Sequence, residues 1–364
     1  MDRIQRNRRT ALVGAVALAG AAIVIAGCGS SSSSSTSSTG TSTGSGASFP
    51  NVAYQTWCKN SGLCSYISKG SGGGITDFTN GVVDWADTDS PLKPAQLSAL
   101  ASARGGVTPV YFPTLLGAIG VPTNVTGATG LQFSGAVLAD IFDGVITKWN
   151  DPKIAAENPG ATLPNAAITV CVRSDGSGTS SNFSGYLGTE SATFLTKVGK
   201  ASQTPAWTAP VKIASPQNAG VLQCVKSNTN TIGYNDLATV VTSGDQNLLA
   251  KIQAPDGTYV TPTSATTSAA GTTAVVSQPV VPTTLQKSLL NSSGVGAYPI
   301  TITTFVLGYS NYTQAGKASS LPKVQSFLNY VYSSKAQSAL AALGYAPLPS
   351  VILNAGKAQV STLK

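Results

Sequence analysis

The sequence of 364 residues contains no histidine, and only 10% of its residues are charged. Without histidine, neither a Ser-His-Asp triad nor a Cys-His pair can be assembled, so the commonest forms of nucleophilic catalysis are excluded. The net charge of +8 includes no Lys/Arg cluster interleaved with aromatic residues, so nucleic acid is not an expected partner. With 42% hydrophobic residues, the chain can bury a normal core, and its length corresponds to about two domains.

The sequence also lacks an apolar run of the roughly 18 residues that a membrane span needs. The run from Ala11 to Ala26 follows a basic start and precedes Gly27 and Cys28, which is the layout of an export signal. The residues VIAGC resemble a bacterial lipobox, in which the cysteine is lipidated and becomes the new N-terminus. We therefore expect residues 1–28 to be a lipoprotein signal peptide, with Cys28 lipidated and the protein anchored outside the cytoplasm to the cell membrane. An uncleaved anchor and an ordinary signal peptide stay open as alternatives.

Cysteine is scarce, and the CxxC spacing of many metal sites is absent. Apart from Cys28, the chain has an even number of cysteines, which indicates disulfides in an exported protein. These are Cys58, Cys64, Cys171 and Cys224. Pairing Cys58 with Cys64 would close a short loop between a helix and a strand and leave Cys171 for Cys224, but four cysteines allow three pairings. Metal binding is the competing interpretation, and the lack of histidine disfavours it.

Serine, threonine and glycine make up nearly all of residues 29–46, a composition that cannot bury enough apolar surface to fold. We expect a flexible tether there. From residue 47 onwards, short apolar segments alternate with helical patterns, which predicts an α/β fold with largely buried sheets. Residues 320–349 predict one long amphipathic helix followed by a proline-bounded tail. The core face predicted for this helix consists of Val324, Phe327, Leu328 and Val331.

Polar, glycine-containing breaks recur next to predicted strands and helices. In GASFPNVAYQTW, Ser48 and Pro50 precede a helical run, and a capped helix is the simpler interpretation. In SKGSGGG, Ser71 precedes three glycines that would let backbone N–H groups approach an anion, although the lysine of an NTPase loop is missing. In RSDGSGTSSNF, the chain leaves a strand through Arg173 and starts a helix, which concentrates donors where a helix N-terminus attracts an anion.

A further segment, DWADTDSPL, carries three carboxylates near the end of a predicted strand: Asp84, Asp87 and Asp89. A metal site, a solvated turn and an acceptor for a ligand proton are all compatible with this pattern. Calcium would need more oxygen ligands than the segment provides.

Together these segments resemble the PstS-type phosphate-binding protein of the bacterial high-affinity phosphate ABC transporter. Similar segments run in the family's order from about Gly46 to Pro349, namely GASFP, GSGGG, DWADTDSPL, FDGVITKWNDPKI, RSDGSGTS, IGY and YPITITTFVL. The resemblance implies an α/β, two-lobed periplasmic-binding-protein fold of type II, with mixed sheets flanked by helices, two chain crossovers and the ligand in the interlobe cleft. Lobe 1 would comprise residues 47–116 and 300–364, and lobe 2 would comprise residues 117–299.

The resemblance also implies a phosphate site without a cofactor or a metal. The positions that match the family's ligand-binding residues are Ser48, Phe49, Ser71, Asp89, Arg173, Ser177, Gly178 and Thr179. Asp175 fills the acidic position of the RSDGSGT motif, where pairing with Arg173 is expected rather than ligand contact. One departure is Thr88, where a serine is common. The implied partners are inorganic phosphate and the membrane permease subunits of a phosphate ABC transporter, and the receptor is expected to be monomeric.

The chemistry of a buried oxyanion explains why these residue types recur, because each of its oxygens must be hydrogen bonded. Arg173 offers a planar fork of donors, and hydroxyls and helix N-termini can supply the remainder. Asp89 would act as a selector: phosphate keeps a proton near neutral pH that the carboxylate can accept, whereas sulfate has none. No reaction of the ligand is needed, so we expect a receptor. A phosphatase-type enzyme and a sensing or adhesion module on the same fold are the alternatives.

Overall fold

The computed structural model describes residues 40–364. The predicted signal peptide, the predicted lipidation site Cys28 and positions 29–39 of the predicted tether lie outside the described residues. Within residues 40–364, no helix combines the length and the apolar character that a membrane span requires.

Strands and helices alternate along the described part of the chain, as the sequence predicts. The strands are β1 (Ser42–Gly46), β2 (Cys64–Ser68), β3 (Trp85–Thr88), β4 (Pro109–Gly120), β5 (Thr123–Asn124), β6 (Gln132–Phe133), β7 (Thr169–Arg173), β8 (Lys212–Ser215), β9 (Thr231–Gly233), β10 (Asn235–Asp236), β11 (Lys251–Gln253), β12 (Tyr259–Val260) and β13 (Thr301–Tyr309). The α-helices are α1 (Asn51–Ser61), α2 (Gly70–Thr79), α3 (Pro94–Ala103), α4 (Gly135–Phe142), α5 (Pro152–Glu157), α6 (Gly178–Glu190), α7 (Ala192–Lys197), α8 (Gln217–Ser227), α9 (Leu237–Thr242), α10 (Ser264–Gly271), α11 (Pro282–Leu289), α12 (Leu321–Val331), α13 (Ser334–Ser338) and α14 (Ser350–Gln359). Short 3₁₀ helices cover Gln246–Leu248, Ala318–Ser320, Ala341–Leu343 and Val360–Thr362.

The largest sheet has six strands in the order β10-β4-β13-β3-β1-β2. Strand β1 pairs in parallel with β2 and β3, whereas β13 runs antiparallel to both β3 and β4. Every residue of β3 and of β13 is buried, and helices α1 and α2 pack on the β1–β3 side of the sheet. A strand that is buried along its whole length needs cover on both faces, which agrees with the predicted α/β class.

Strands β4 and β13 lie side by side over almost their whole length. The sequence places the crossings between lobes near Leu116, in β4, and near Ile300, just before β13. The two segments are therefore neighbours in space, as a double crossing requires. The lobe boundaries themselves stay a prediction.

The second sheet has four strands in the order β5-β9-β7-β8, and a third sheet contains β12, β11 and β6. Helix α8 packs on β7 and β9, and the Cys171–Cys224 disulfide joins β7 to α8. The Cys58–Cys64 disulfide joins α1 to β2. The structure therefore confirms disulfide formation and selects one of the three pairings that the sequence allows.

The expected tether at residues 29–46 is wrong at its C-terminal end, because Ser42–Gly46 form β1 inside the largest sheet. The cause is close packing. A Cβ atom on Gly44 would lie 2.3 Å from the ring of Trp85, and the Trp85 indole donates to the Ser42 hydroxyl at 3.2 Å. Small residues are needed here to make room for a buried tryptophan rather than to keep the chain solvated.

The single long helix expected after residue 320 is also wrong. Helix α12 ends at Val331, and Ser333 starts the short helix α13 by accepting the backbone N–H of Ala336 at 3.2 Å. Helix α14 follows directly after Pro349, in a segment for which the sequence pattern makes no secondary-structure prediction. The predicted core face is confirmed, since its four side chains are completely buried.

Candidate functional site

Strand β7 ends at Arg173, and helix α6 begins a few residues later at Gly178. The Ser177 hydroxyl caps this helix by accepting the backbone N–H of Ser180 at 3.0 Å. The predicted passage from strand to helix is thus confirmed, with the arginine beside a helix N-terminus. In this structure the Ser177 hydroxyl caps the helix, and its contact with a ligand stays a prediction.

The Arg173 side chain is only 1% exposed. Its Nε donates to Asp175 Oδ1 at 2.8 Å and its Nη2 donates to Asp175 Oδ2, so the expected ion pair is present. Its Nη1 donates to the side-chain oxygen of Asn218 at 2.6 Å. Burial favours the neutral form of Asp175, but the hydrogen bonds and the charge of Arg173 hold the pKa of that carboxyl below its usual value. These contacts fix the plane of the guanidinium group.

The Ser48 hydroxyl does not cap helix α1, because Pro50 occupies the capping position. Instead, it accepts the backbone N–H of Asn218, in the first turn of α8, at 3.2 Å. The side-chain amide of Asn218 donates in turn to Asp236 Oδ2 at 2.7 Å. Ser48 and Arg173, which lie 125 positions apart in the sequence, are therefore both hydrogen bonded to one asparagine.

The glycine-rich segment around Ser71 forms the start of helix α2 rather than the expected loop. The Ser71 hydroxyl lies in the first turn and accepts two backbone N–H groups, from Gly178 at 3.1 Å and from Asp89 at 3.3 Å. The N-termini of α2 and α6 therefore meet at this hydroxyl. Both helix ends supply partial positive charge to the same place.

Two glycines permit this close approach. A Cβ atom on Gly178 would lie 2.6 Å from the Cβ of Asp89 and 2.7 Å from the Ser71 hydroxyl. A Cβ atom on Gly70 would lie 2.0 Å from Asp175 Oδ2, and Gly70 also has a φ of +76°, which disfavours other residues. The glycines of GSGGG and GSG thus allow two helix starts to touch.

Asp89 is 1% exposed and accepts hydrogen bonds at both carboxylate oxygens. Thr304 lies 2.7 Å from Oδ1, and the Thr179 hydroxyl lies 3.4 Å from Oδ2. Its backbone carbonyl accepts the side-chain amides of Asn182 and Gln286. Burial raises the pKa of Asp89 to about 7, and the hydrogen bond from Thr304 and the charge of Arg173 oppose this rise.

The other two carboxylates of DWADTDSPL have different surroundings. Asp84 accepts from Thr43, Ser320 and Lys317 at 2.8, 2.6 and 3.3 Å. Asp87 accepts the Tyr54 hydroxyl at 2.6 Å and lies near Thr304, the residue that also contacts Asp89. Within residues 40–364, no group of three His, Cys, Asp or Glu side chains is arranged to hold a metal ion.

Most of the predicted site residues are therefore joined by direct contacts. In the first group, Asn218 joins Ser48 to Arg173, and Arg173 pairs directly with Asp175. The second group consists of Ser71, Asp89, Gly178 and Thr179. The backbone N–H of Gly72 donates to the carbonyl of Gly176 at 2.8 Å and ties the two groups together. Phe49 follows Ser48 in the chain; its side chain is buried, and its carbonyl accepts the Tyr345 hydroxyl at 2.6 Å.

Three polar residues of this site are not predictable from the motifs of the sequence: Asn218, Thr304 and Asn182. Asn218 stands in SPQNAGV, where a proline precedes a helical run, a signal that could have marked a helix start. Thr304 belongs to the segment YPITITTFVL, whose pattern predicts a strand but gives this threonine no special role. Asn182 follows Gly178 by one helical turn and donates to its carbonyl at 2.9 Å.

Comparison with known proteins gives a consistent result. Residues 22–335 match the model of the PBP superfamily domain. The phosphate-binding protein PstS of Haemophilus influenzae is 33% identical over 330 residues, which cover 87% of this chain and 91% of that protein. The protein of the same name from Methanocaldococcus jannaschii is 32% identical over 340 residues, covering 87% and 85%. That of Xylella fastidiosa strain Temecula1 is 34% identical over 247 residues, which span 63% of its length.

Solved structures share the fold. A high affinity periplasmic phosphate-binding protein, solved with bound phosphate, superposes with a TM-score of 0.70 at 22% identity, covering 88% of this chain and 93% of that one. A phosphate-binding protein from Stenotrophomonas maltophilia superposes with a TM-score of 0.69 at 20% identity over the same shares. The chain therefore has the mixed α/β periplasmic-binding-protein fold.

Proposed function

Since this chain belongs to the PstS family of phosphate-binding proteins, within the PBP superfamily, we propose that it is an extracytoplasmic receptor for inorganic phosphate. It delivers this ligand to the permease subunits of an ABC transporter. The observation that carries the proposal is the convergence of a buried arginine, two helix N-termini and several hydroxyls around Ser71, Asp89 and Arg173.

The donors of the site suit a small tetrahedral anion. Phosphate would be held by the Arg173 fork, by the hydroxyls of Ser48, Ser71 and Thr179, and by backbone N–H groups at Phe49 and Gly178. Ser177 is the seventh predicted contact, and Asp89 is the eighth. One arginine neutralises only part of the ligand charge, so the helix N-termini and neutral donors supply the rest of the stabilisation. Arg173, the Thr179 hydroxyl and the Gly178 N–H now donate to partners within the protein, and binding would exchange those contacts for ligand oxygens.

Asp89 gives the site its selectivity. A carboxylate repels an anion unless that anion can donate a hydrogen bond to it. Inorganic phosphate has three ionisable protons, one more than a phosphate ester, and its second ionisation lies at about 6 to 7 by analogy with phosphoserine. It therefore still carries at least one proton near neutral pH. Sulfate carries none, so it would place acceptor against acceptor, and a site that needs a ligand hydrogen rejects ligands without one.

The N-terminal segment is the basis for a proposal about where the protein acts in the cell. We propose that the receptor is lipidated at Cys28, held at the outer face of the cell membrane and active as a monomer. The test is membrane fractionation of the Cys28→Ser variant in the source cell. Release of the variant from the membrane supports the anchor, and unchanged membrane association contradicts it.

The function itself is tested by isothermal titration of the purified protein with phosphate, sulfate and a phosphate ester. Phosphate should bind much more tightly than sulfate, and the ester should not be hydrolysed. The Arg173→Ala variant should lose phosphate binding, and Arg104→Ala is the matched control, since Arg104 donates to the Thr79 carbonyl, away from the site. Absence of phosphate binding contradicts the proposal, and release of phosphate from the ester favours an enzyme.

A further inference from the structure

Thr304 contacts two buried carboxyl groups through a single hydroxyl. Its Oγ1 lies 2.6 Å from Asp87 Oδ1 and 2.7 Å from Asp89 Oδ1. Asp87 is completely buried, and Asp89 is 1% exposed. A hydroxyl has one hydrogen and can donate it to only one of the two oxygens. The other close contact between oxygen atoms needs a hydrogen from a carboxyl group. One of the two carboxyl groups, that of Asp87 or that of Asp89, must therefore be protonated.

The surroundings indicate which carboxyl keeps that proton. The charged and titratable groups that face the pair are Tyr54 on α1, Tyr66 on β2, Arg173 on β7, Asp236 at the start of α9, and Tyr345. The charge of Arg173 favours ionised Asp89, and the Thr179 hydroxyl donates to its second oxygen. Within residues 40–364, the side-chain donors to Asp87 are only the neutral hydroxyls of Tyr54 and Thr304.

The direction of the pKa shift at Asp87 also favours a proton on this residue. Burial and the neighbouring charge of Asp89 raise the pKa of Asp87 well above its usual value. The charge of Arg173 stabilises the ionised form of Asp89, and the negative charge of Asp89 in turn favours the neutral form of Asp87, so the proton of the pair is placed on Asp87.

We propose that Asp87 is a neutral carboxylic acid that donates through Oδ1 to Thr304, and that Thr304 in turn donates to Asp89 Oδ1. Asp87 is thereby a positioning residue that keeps Asp89 ionised and orients its Oδ2 for a proton of the ligand. This assignment rests on the proposed function where it concerns the ligand. The protonation of Asp87 itself does not depend on phosphate binding.

The first test needs no ligand. Carboxyl-¹³C aspartate NMR of the protein at about pH 8, above the pKa of about 7 that burial gives Asp89, should show a protonated aspartate signal. We expect this signal to vanish in Asp87→Asn and to persist in Asp89→Asn. If it persists in Asp87→Asn and vanishes in Asp89→Asn, or if the wild-type protein has no such signal, the assignment is overturned.

The second test uses phosphate. Asparagine at position 87 copies the neutral acid, because its amide can donate to Thr304 while its oxygen accepts from Tyr54. The pH profile of phosphate affinity in Asp87→Asn should therefore match that of the wild-type protein. A shift of the profile to lower pH by about one unit or more, the change expected on removing a close negative charge, would mean that Asp87 is ionised.

Two substitutions at one position, Thr304→Val and Thr304→Ser, test the bridging hydroxyl. Valine keeps the shape but removes the bridging hydroxyl, so the ratio of phosphate to sulfate affinity should fall at least about fivefold; serine restores the hydroxyl and should restore the ratio. Equal ratios in both variants overturn the bridging role. If no variant or wild-type protein binds phosphate, the proposed function fails, while the NMR result still decides the location of the proton.

Discussion

Asn218 joins Ser48 to Arg173: its backbone N–H donates to the Ser48 hydroxyl at 3.2 Å, and its side-chain oxygen accepts the Arg173 guanidinium at 2.6 Å. The contact is buried and crosses 170 positions of sequence. It ties the segment before α1, next to the largest sheet, to the N-terminus of α8, next to the second sheet. We infer that Asn218 orients the arginine for the ligand.

Replacing Asn218 by alanine should weaken phosphate binding about tenfold or more. The change removes the acceptor of one guanidinium N–H and the donor to Asp236 Oδ2, and an unpaired buried polar group costs about 1–3 kcal/mol. Titration calorimetry measures the effect. Asn228→Ala is the control, because Asn228 follows the same helix and its side-chain amide donates to the carbonyl of Cys224 rather than to a residue of the site. Equal affinity in both variants would remove Asn218 from the site.

The Asp89→Asn substitution should lower the ratio of phosphate to sulfate affinity by at least about tenfold while the fold is retained, since a donor amide replaces the acceptor that phosphate alone can use. Competition titrations with the two anions give the ratio. Asp256→Asn serves as the control, because Asp256 is exposed and its carboxylate accepts hydrogen bonds from Thr258 in its own turn. An unchanged ratio in Asp89→Asn would refute the assigned role.

The raised pKa of Asp89 has a consequence for the stability of the ligand-free protein. An acid whose pKa rises from 3.8 to about 7 on folding binds more protons in the folded state between those values. Its contribution to the free energy of unfolding therefore falls as pH rises through this window. We expect the melting temperature of the wild-type protein to drop relative to that of Asp89→Asn between about pH 4 and pH 7. A constant difference between the two melting curves across this range would contradict the raised pKa.

The parts of the fold and site that were predictable are those with a local signal. The strand, the capping serine and the glycine at residues 173–178 mark a helix start within a few positions, and this prediction is confirmed. Strand β1 was missed because serine and glycine resemble a linker, and only the ring of Trp85, 41 positions beyond Gly44 in the sequence, requires small residues there. Asn218 and Thr304 were missed because their roles arise from contacts across the fold, which no local pattern records.

Gly178→Ala should lower both stability and phosphate affinity. The added methyl would stand 2.6 Å from Asp89 Cβ and 2.8 Å from the Asp89 backbone nitrogen, so the N-terminus of α6 must move away from Ser71. Thermal unfolding and titration measure the two effects. Gly185→Ala in the same helix is the control: its nearest neighbour would be Ala201 Cβ at 3.2 Å, and alanine favours the helix by up to about 1 kcal/mol. A Gly178→Ala variant that binds as well as Gly185→Ala would contradict the close approach.

The two disulfides should contribute unequally to stability, because the loops that they close differ in length. Cys171–Cys224 spans 53 positions and Cys58–Cys64 spans 6. Constraint of the unfolded chain predicts about 4 kcal/mol for the longer loop and about 2 kcal/mol for the shorter one. Chemical denaturation of the paired serine variants, Cys171→Ser with Cys224→Ser and Cys58→Ser with Cys64→Ser, gives both values under identical conditions. Because Cys171 lies in β7, two positions before Arg173, loss of the longer bridge should also weaken phosphate binding, whereas loss of the shorter bridge should not. A larger loss of stability in the Cys58/Cys64 variant would show that native packing, rather than loop closure, decides what each bridge contributes.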